Sequence, residues 1–299
     1  MLLTDLAPAK INLYLHVGRL TPTEQGGDGY HPLASLVAFA DIGDRVTMGQ
    51  ASRLSLSVTG PFGAGLDGHD NLILKALRML GEAVGIGEPR LHVALDKRLP
   101  IAAGLGGGSA DAGAVLRLAP RILGMNIDEA ILISVAERLG ADAPMCLIGR
   151  SALAEGRGER LTFADPLPPL HALFVNPGVP SSTGAVYRAY DDDPVGDAVQ
   201  PPPPDDWHPA TVIDWLAKQR NDLQSPALNL TPAIGTALTA VEALPDVRLT
   251  RMSGSGATIF GLFDDAEAVT EAAVRLSRDR PGWWIRPTVL GGVPFAARV

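Results

Sequence analysis

The chain has 299 residues, 46% of them hydrophobic, and its 33 acids against 25 bases leave a net charge of −8. These figures exclude a small stapled peptide and a globally disordered chain, and the acidic balance offers no overall field to nucleic acid or an anionic membrane. A single cysteine, Cys146, excludes an internal disulfide, and the six histidines lack both the spacing and the cysteine partners of a structural zinc site.

Asp5 and Pro8 interrupt the only apolar start, and no later apolar run approaches the ~18 residues of a membrane span. A reduced, soluble, cytoplasmic protein is expected. The first element is a strand over 10–17, where Ile11, Leu13, Leu15 and Val17 alternate with Lys10, Asn12, Tyr14 and His16. Such a strand is half-buried, and Lys10 and Asn12 share one face roughly 6.6 Å apart, near enough to address one ligand. The turn-rich TPTEQGGDGYHP leads into an apolar stretch from Leu33 to Val46, broken by Asp41 and Gly43. Residues 53–58 alternate again. Asp70 or Asn71 caps a helix with Leu72, Ala76, Leu80 and Val84 on one face, ended by Gly85.

A strand over 91–95 precedes PIAAGLGGGSAD and a helix that begins at Ser109 or Ala110 and runs to about Leu118. Residues 128–139 form an amphipathic helix stopped by Gly140, and MCLIG reads as an apolar strand. SALAEG, ERLTF and HALFVNPG read as strands, followed by a turn-rich region. Between 191 and 206 six acids and five prolines predict an exposed, extended loop. Helices are expected near 209–220 and over Pro232–Leu244, then strand, tight glycine turn and strand over 247–263. A helix from Ala266 to Arg278 and a strand near Trp284–Leu290 close the chain. The mixture argues for α+β organisation, with no internal repeat.

Chemistry concentrates in the segment from Leu99 to Asp111. Four glycines in five positions, Gly104 and Gly106 to Gly108, let backbone N–H groups converge, and the helix that follows adds its positive end. This is an anion cradle suited to a triphosphate, with the Ser109 hydroxyl available to a phosphate oxygen or a magnesium ion. A flexible turn would explain the glycines alone; the strand before and the helix after favour the cradle. It is neither a P-loop, since no Gly-Lys-Ser/Thr follows, nor a dinucleotide fingerprint, since the third glycine position holds Ser109.

Asp142, in Gly-Ala-Asp-Ala-Pro, is either a turn or cap residue or a carboxylate facing a nucleotide and an acceptor hydroxyl. The second glycine turn, Arg251 to Thr258, is a hairpin or a further wall of the phosphate site. Asp28 and Gly29 suit a turn, while Tyr30 and His31 could stack on and hydrogen-bond a base.

Taken in order, PAKINLYLHVG, PIAAGLGGGSADAG and RMSGSGATIFG resemble the GHMP kinase superfamily over the whole chain. DGYHPL, LGADAPMCLIG and AEGRGE resemble its branch acting on a cytidine diphosphate-linked methylerythritol, rather than homoserine, galactose or mevalonate kinases. The resemblance implies a two-domain α+β fold. Its N-terminal ATP-binding domain, 1–160, would be ribosomal-protein-S5-domain-2-like, and its C-terminal domain, 161–299, a ferredoxin-like α/β.

It also implies an enzyme that moves the γ-phosphoryl of ATP, with Mg2+, to the 2-hydroxyl of that substrate in the non-mevalonate isoprenoid pathway. Asp142 matches the catalytic aspartate and Lys10 its partner lysine, with Asn12 beside them. Tyr30 and His31 match residues that hold the cytosine, Tyr187 an aromatic that closes on the base, and Thr183 a position near the substrate. After Pro100, the positions Gly104, Leu105, Gly106, Gly107, Gly108 and Ser109 match the triphosphate loop, and Asn71 and Lys97 flank the adenosine. No protein metal ligand, membrane or nucleic acid is implied, and a homodimer is compatible.

The chain departs from the pattern in the longer loop before Tyr30, with TPTEQGG inserted, and in Val37, where some members carry phenylalanine. The alternatives are another small-molecule kinase of the superfamily, a nucleotide-binding relative without turnover, and an RNA-binding module. Intact Lys10 and Asp142 oppose the second, and the charge of −8 without a basic run opposes the third.

Overall fold

The computed structural model describes residues 1–22, 29–66, 68, 70–163 and 167–291. The inserted TPTEQGG and the Asp28 turn lie almost wholly outside them. In chain order the elements are β1 (Leu2–Val17), β2 (Leu33–Gln50), β3 (Ser55–Thr59), α1 (Leu72–Ala83), β4 (Leu91–Asp96), α2 (Gly107–Leu123), α3 (Glu129–Leu139) and α4 (Ala143–Ile148). There follow β5 (Ala152–Gly156), β6 (Arg160–Phe163), β7 (Leu170–Asn176), α5 (Thr183–Asp191), α6 (Pro209–Ala217), α7 (Gln224–Leu230), α8 (Pro232–Glu242), β8 (Leu249–Met252), β9 (Ile259–Phe263), α9 (Ala266–Asp279) and β10 (Trp284–Leu290).

The chain divides into two compact units, one comprising 1–10, 42–101 and 106–149, the other 11–41, 102–105 and 150–299. They do not coincide with a cut at residue 160, because β1 and β2 each supply residues to both. In the first unit β4 pairs parallel with β3 and antiparallel with the second half of β2. Helix α1 packs on α2 and α3, and α2 on α4. Helix α1 starts where the sequence expects: Asn71 Oδ1 accepts the Ile73 N–H, and Ile73, Leu74, Ala76, Leu77 and Leu80 turn inward. Asp128 caps α3 in the same way.

In the second unit antiparallel pairings link β6, β5, the first half of β2, β10, β7, β9 and β8. Its core gathers Leu15, Val17, Leu173, Val175, Tyr190, Ile234, Val241, Ile259 and Phe263. The Tyr190 hydroxyl donates to the Val17 carbonyl.

Four expectations are corrected. Strand β1 begins at Leu2, and from Ala7 to Val17 it is buried on both faces rather than one, because its polar side chains find partners inside. Helix α2 begins at Gly107, before Ser109, and runs on to Leu123. MCLIG is helix, not strand: a short apolar run has no decisive period, and Pro144 in the first turn with Gly149 at φ 66° frames a helix. The turn-rich region holds α5, capped by Ser182, and α7 begins within NDLQSPAL, residues 221–228, for which no element was expected. As expected, residues 192–206 form no regular element and none of them is buried; the segment is also anchored. Gln200 accepts from the Tyr14 hydroxyl and donates to the Ala154 carbonyl, and Trp215 Nε1 donates to the Pro202 carbonyl.

Candidate active site

In the first unit the last residue of β1's share, Lys10, meets the residue that starts α4. Lys10 Nζ stands 2.9 Å from Asp142 Oδ2; the lysine side chain is 7% exposed and the aspartate 41%. A buried ammonium beside a half-open carboxylate leaves the carboxylate able to face a ligand while its charge is balanced. Gly106 adjoins both: a Cβ there would lie 3.3 Å from Lys10 Cβ and 3.9 Å from Asp142 Oδ2. Its φ of 62° is left-handed, so glycine serves both the turn and the approach.

From Gly106 the chain enters α2, whose first turn is Gly107, Gly108 and Ser109, so the N–H groups lacking helical partners lie where side chains are missing. These groups form a cradle fit for phosphate oxygens. Leu105 is 1% exposed and Pro100 is buried, so neither offers a side chain to a ligand; Leu105 can contribute its main chain only. The start of α1 adjoins the cradle, since a Cβ on Gly108 would meet Leu72 Cδ1 at 3.3 Å. Asn71 is there, but its amide is engaged locally, Oδ1 as the cap and Nδ2 as donor to the Leu66 carbonyl.

Lys97 is buried beneath the cradle. Its Nζ lies 2.6 Å from both Asp44 Oδ2 and Asp111 Oδ2, and a Cβ on Gly107 would come within 3.0 Å of it. Asp44 Oδ1 also accepts the N–H groups of Arg98 and Leu99. One buried cation cannot balance two carboxylates. Asp44 is the better served, while Asp111 Oδ1 is buried with no hydrogen-bond partner. Burial pushes the Asp111 carboxyl up to about 8 against the pull of Lys97. Asp44 and Asp111 were not singled out from the sequence, where no local signal tells a buried acid from a surface one.

In the second unit Ser253 Oγ donates to the Gly104 carbonyl at 2.8 Å and accepts the Asn12 N–H at 3.2 Å, and Thr258 N–H donates to the Ala103 carbonyl. The second glycine turn therefore buttresses the early part of the glycine loop. Asn12 is held by its Nδ2 donating to Ser35 Oγ at 2.8 Å. The turn is held by Asn221, whose Nδ2 donates to the carbonyls of Met252 and Gly254, a role that NDLQSPAL did not announce. Thr183 Oγ1 and Ser255 Oγ are 2.9 Å apart.

His31 lies against Tyr187, ring centroids 5.1 Å apart, with Nε2 3.3 Å from Asp191 Oδ1 and Nδ1 2.9 Å from the Gly18 carbonyl. The Tyr30 ring has the Arg157 guanidinium 5.7 Å from its centre.

Among the described residues no three His, Cys, Asp or Glu side chains gather as a metal cage. A magnesium ion carried by a triphosphate takes its ligands chiefly from phosphate oxygens; Ser109, in the first turn of α2, and the half-open Asp142 carboxylate are the side-chain oxygens that would complete them. No helix of the described residues is long and apolar enough to cross a membrane.

The family model for the GHMP kinases N terminal domain matches residues 71–150, and that for GHMP kinases C terminal matches 211–280. A 4-diphosphocytidyl-2-C-methyl-D-erythritol kinase of Caulobacter sp. (strain K31) is 48% identical over 99% of this chain and 100% of its own. One from Caulobacter vibrioides (strain NA1000 / CB15N) is 47% identical over 96% and 98%. A crystal structure of 4-(cytidine 5'-diphospho)-2C-methyl-D-erythritol kinase, 35% identical, covers 97% of this chain and 100% of its own with a TM-score of 0.77. The α+β architecture, the glycine cradle beside a lysine–aspartate pair and near-complete coverage by these relatives agree, and the chain belongs to the 4-diphosphocytidyl-2-C-methyl-D-erythritol kinase family of the GHMP kinases.

Proposed function

We propose that this chain transfers the γ-phosphoryl group of ATP to the 2-hydroxyl of 4-diphosphocytidyl-2-C-methyl-D-erythritol, a step of non-mevalonate isoprenoid synthesis, in the reduced cytoplasm that its single buried thiol suits. The observation that carries this reading is the 2.9 Å pairing of Lys10 with Asp142 beside Gly106, in a chain of this family.

Phosphoryl transfer asks mainly for alignment and positive potential. When bound, ATP supplies the phosphoryl group and magnesium offsets its charge. The main-chain N–H groups of Gly104 to Gly108 hold the phosphates, and the start of α2 adds its dipole. Lys10 holds a positive charge at the acceptor oxygen, and Asp142 accepts the hydroxyl proton. Asn12 steadies the strand beside them. His31, Tyr187 and Thr183 recognise the cytidine end, Tyr30 contributing through the Arg157 pair. Asn71 and Lys97 serve the adenosine side indirectly, by fixing α1 and the floor of the cradle.

The test is ADP release with magnesium against a panel of alcohols, comprising the cytidine substrate, homoserine, mevalonate and galactose. Turnover with the first alone is expected, and turnover only with another would overturn the acceptor assignment. Asp142→Asn should lower the single-turnover rate by ~10²-fold or more with ATP affinity within a few-fold. An unchanged rate would remove Asp142 from the chemistry.

A further inference from the structure

Arg117 stands on the face of α2 that meets α4. One turn before it, α2 approaches α4 so closely that a Cβ on Gly113 would lie 2.7 Å from the Cys146 carbonyl oxygen. The guanidinium donates from Nε to Asp5 Oδ2 at 2.8 Å and from Nη2 to the Leu6 carbonyl at 3.1 Å. From Nη1 it donates to the carbonyls of Cys146 and Leu147 at 2.7 and 3.1 Å. Asp5 and Leu6 belong to β1, Cys146 and Leu147 to α4. These are the two elements that carry Lys10 and Asp142.

The bonds answer a local need. Carbonyls in the last turn of a helix have no intrahelical donor, and α4 is six residues long, so Cys146 and Leu147 require an outside N–H, best from a cation at the negative end. Cys146 also donates its own N–H to the Asp142 carbonyl at 3.1 Å. A single residue thus links the guanidinium to the backbone of the carboxylate residue. On the other side Asp5, 6% exposed, ties the fork to the strand that ends its share of this unit at Lys10.

We infer that Arg117 is a positioning residue that locks β1 to α4 and thereby sets the separation of Lys10 Nζ and Asp142 Oδ2. A planar fork with five donors reaches acceptors on two elements at once, whereas an ammonium on a flexible stem does not. Arg117 has this role only if Lys10 and Asp142 are the reacting pair proposed above. Loosening the fork lets the pair drift while the glycine cradle stays intact. A misplacement of about 1 Å can cost up to ~10²-fold in rate, so the loss belongs in kcat and not in the KM for ATP.

The experiment uses the full chain with ATP, magnesium and the cytidine substrate. It compares wild type, Arg117→Lys, Arg117→Met, Lys10→Ala and the double variant Lys10→Ala/Arg117→Met, each shown to be folded at the assay temperature by circular dichroism. Arg117→Lys and Arg117→Met should each lower kcat about tenfold or more, with the KM for ATP within about threefold. In the Lys10→Ala background Arg117→Met should cost less than about twofold, since the pair it serves is already broken. An equal loss in both backgrounds, or an unchanged kcat in Arg117→Met, overturns the inference and leaves the roles of Lys10 and Asp142 standing. If Arg117→Met does not fold, Arg117→Lys and Asp5→Asn carry the same two-background comparison. An unchanged kcat in Lys10→Ala overturns both.

Discussion

Lys10 shows how far one residue's role depends on what surrounds it. Its ammonium is 7% exposed and would be costly to bury alone; Asp142 at 2.9 Å makes it tolerable and fixes where its charge points. Gly106 beside them has two reasons to lack a side chain, its left-handed φ of 62° and the 3.3 Å approach to Lys10. Gly106→Ala is expected to cost about 1–2 kcal/mol in backbone strain and to lower kcat by a larger factor than its loss of thermal stability explains. Unfolding curves and steady-state rates on the same preparation check this. At the other cluster the rings against His31 are Tyr187, at 5.1 Å, and Tyr190, at 5.8 Å, while Tyr30 lies by Arg157. Tyr187→Ala should raise the KM for the cytidine substrate about tenfold, more than Tyr30→Ala does, and leave the KM for ATP unchanged. Equal effects of the two substitutions would count against this assignment. DGYH marked His31 and Tyr30 as a pair and the resemblance named Tyr187, but a sequence interval does not show that the Tyr187 ring lies against His31.

Helix α2 carries the glycine-rich turn at its start, Asp111 in its second turn and Arg117 two turns further on, so one element supplies the proposed cradle, an acid of the buried Lys97 cluster and the guanidinium that meets Asp5. The glycine-rich start was legible because glycines between a strand and a helix have few other uses. The floor was not legible, because Asp44, Lys97 and Asp111 are far apart in sequence and acquire their meaning only from shared burial. Their titration is testable. Burial raises the Asp111 carboxyl above its ordinary value, to about 8, so between about 4 and 8 the folded chain binds more protons than the unfolded one. Stability from this group is therefore lost as pH rises through that window and is level above it. Asp111→Asn cannot ionise, so the fall in thermal midpoint from pH 5.5 to 8.5 should be smaller in the variant than in wild type. An identical fall in the two proteins would remove Asp111 from the pH dependence. Helix α4 illustrates the opposite limit: MCLIG is too short for periodicity to separate strand from helix, and the decision fell to Pro144 and Gly149 at its ends.

At the scale of the whole molecule the compact units interleave along the chain, with 11–41 and 102–105 in the same unit as 150–299. Within that unit Arg251 donates to the Leu13 carbonyl, Asp222 accepts the Val17 N–H and Asn221 bonds to the Met252 carbonyl. A fragment 1–160 would leave these strand groups without their partners, so it should fail to give a cooperative unfolding transition on its own, whereas co-expression with 161–299 should restore one. A stable, cooperatively folding 1–160 fragment would show that a linear cut is sufficient. The sequence alone determined the α+β class, a cap at Asp70 or Asn71, the helix over 128–139 and the glycine-rich start of α2, and the resemblance named Lys10 and Asp142, because periodicity, capping and glycine density act over a few residues and motifs are read in order. Only the tertiary structure decided that Lys97 lies between two buried acids, that the 253–256 turn supports Gly104, and that Arg117 joins β1 to α4. Those contacts link residues tens to hundreds of positions apart, and burial and hydrogen-bond satisfaction, which select them, are properties of the packed chain and not of any local window.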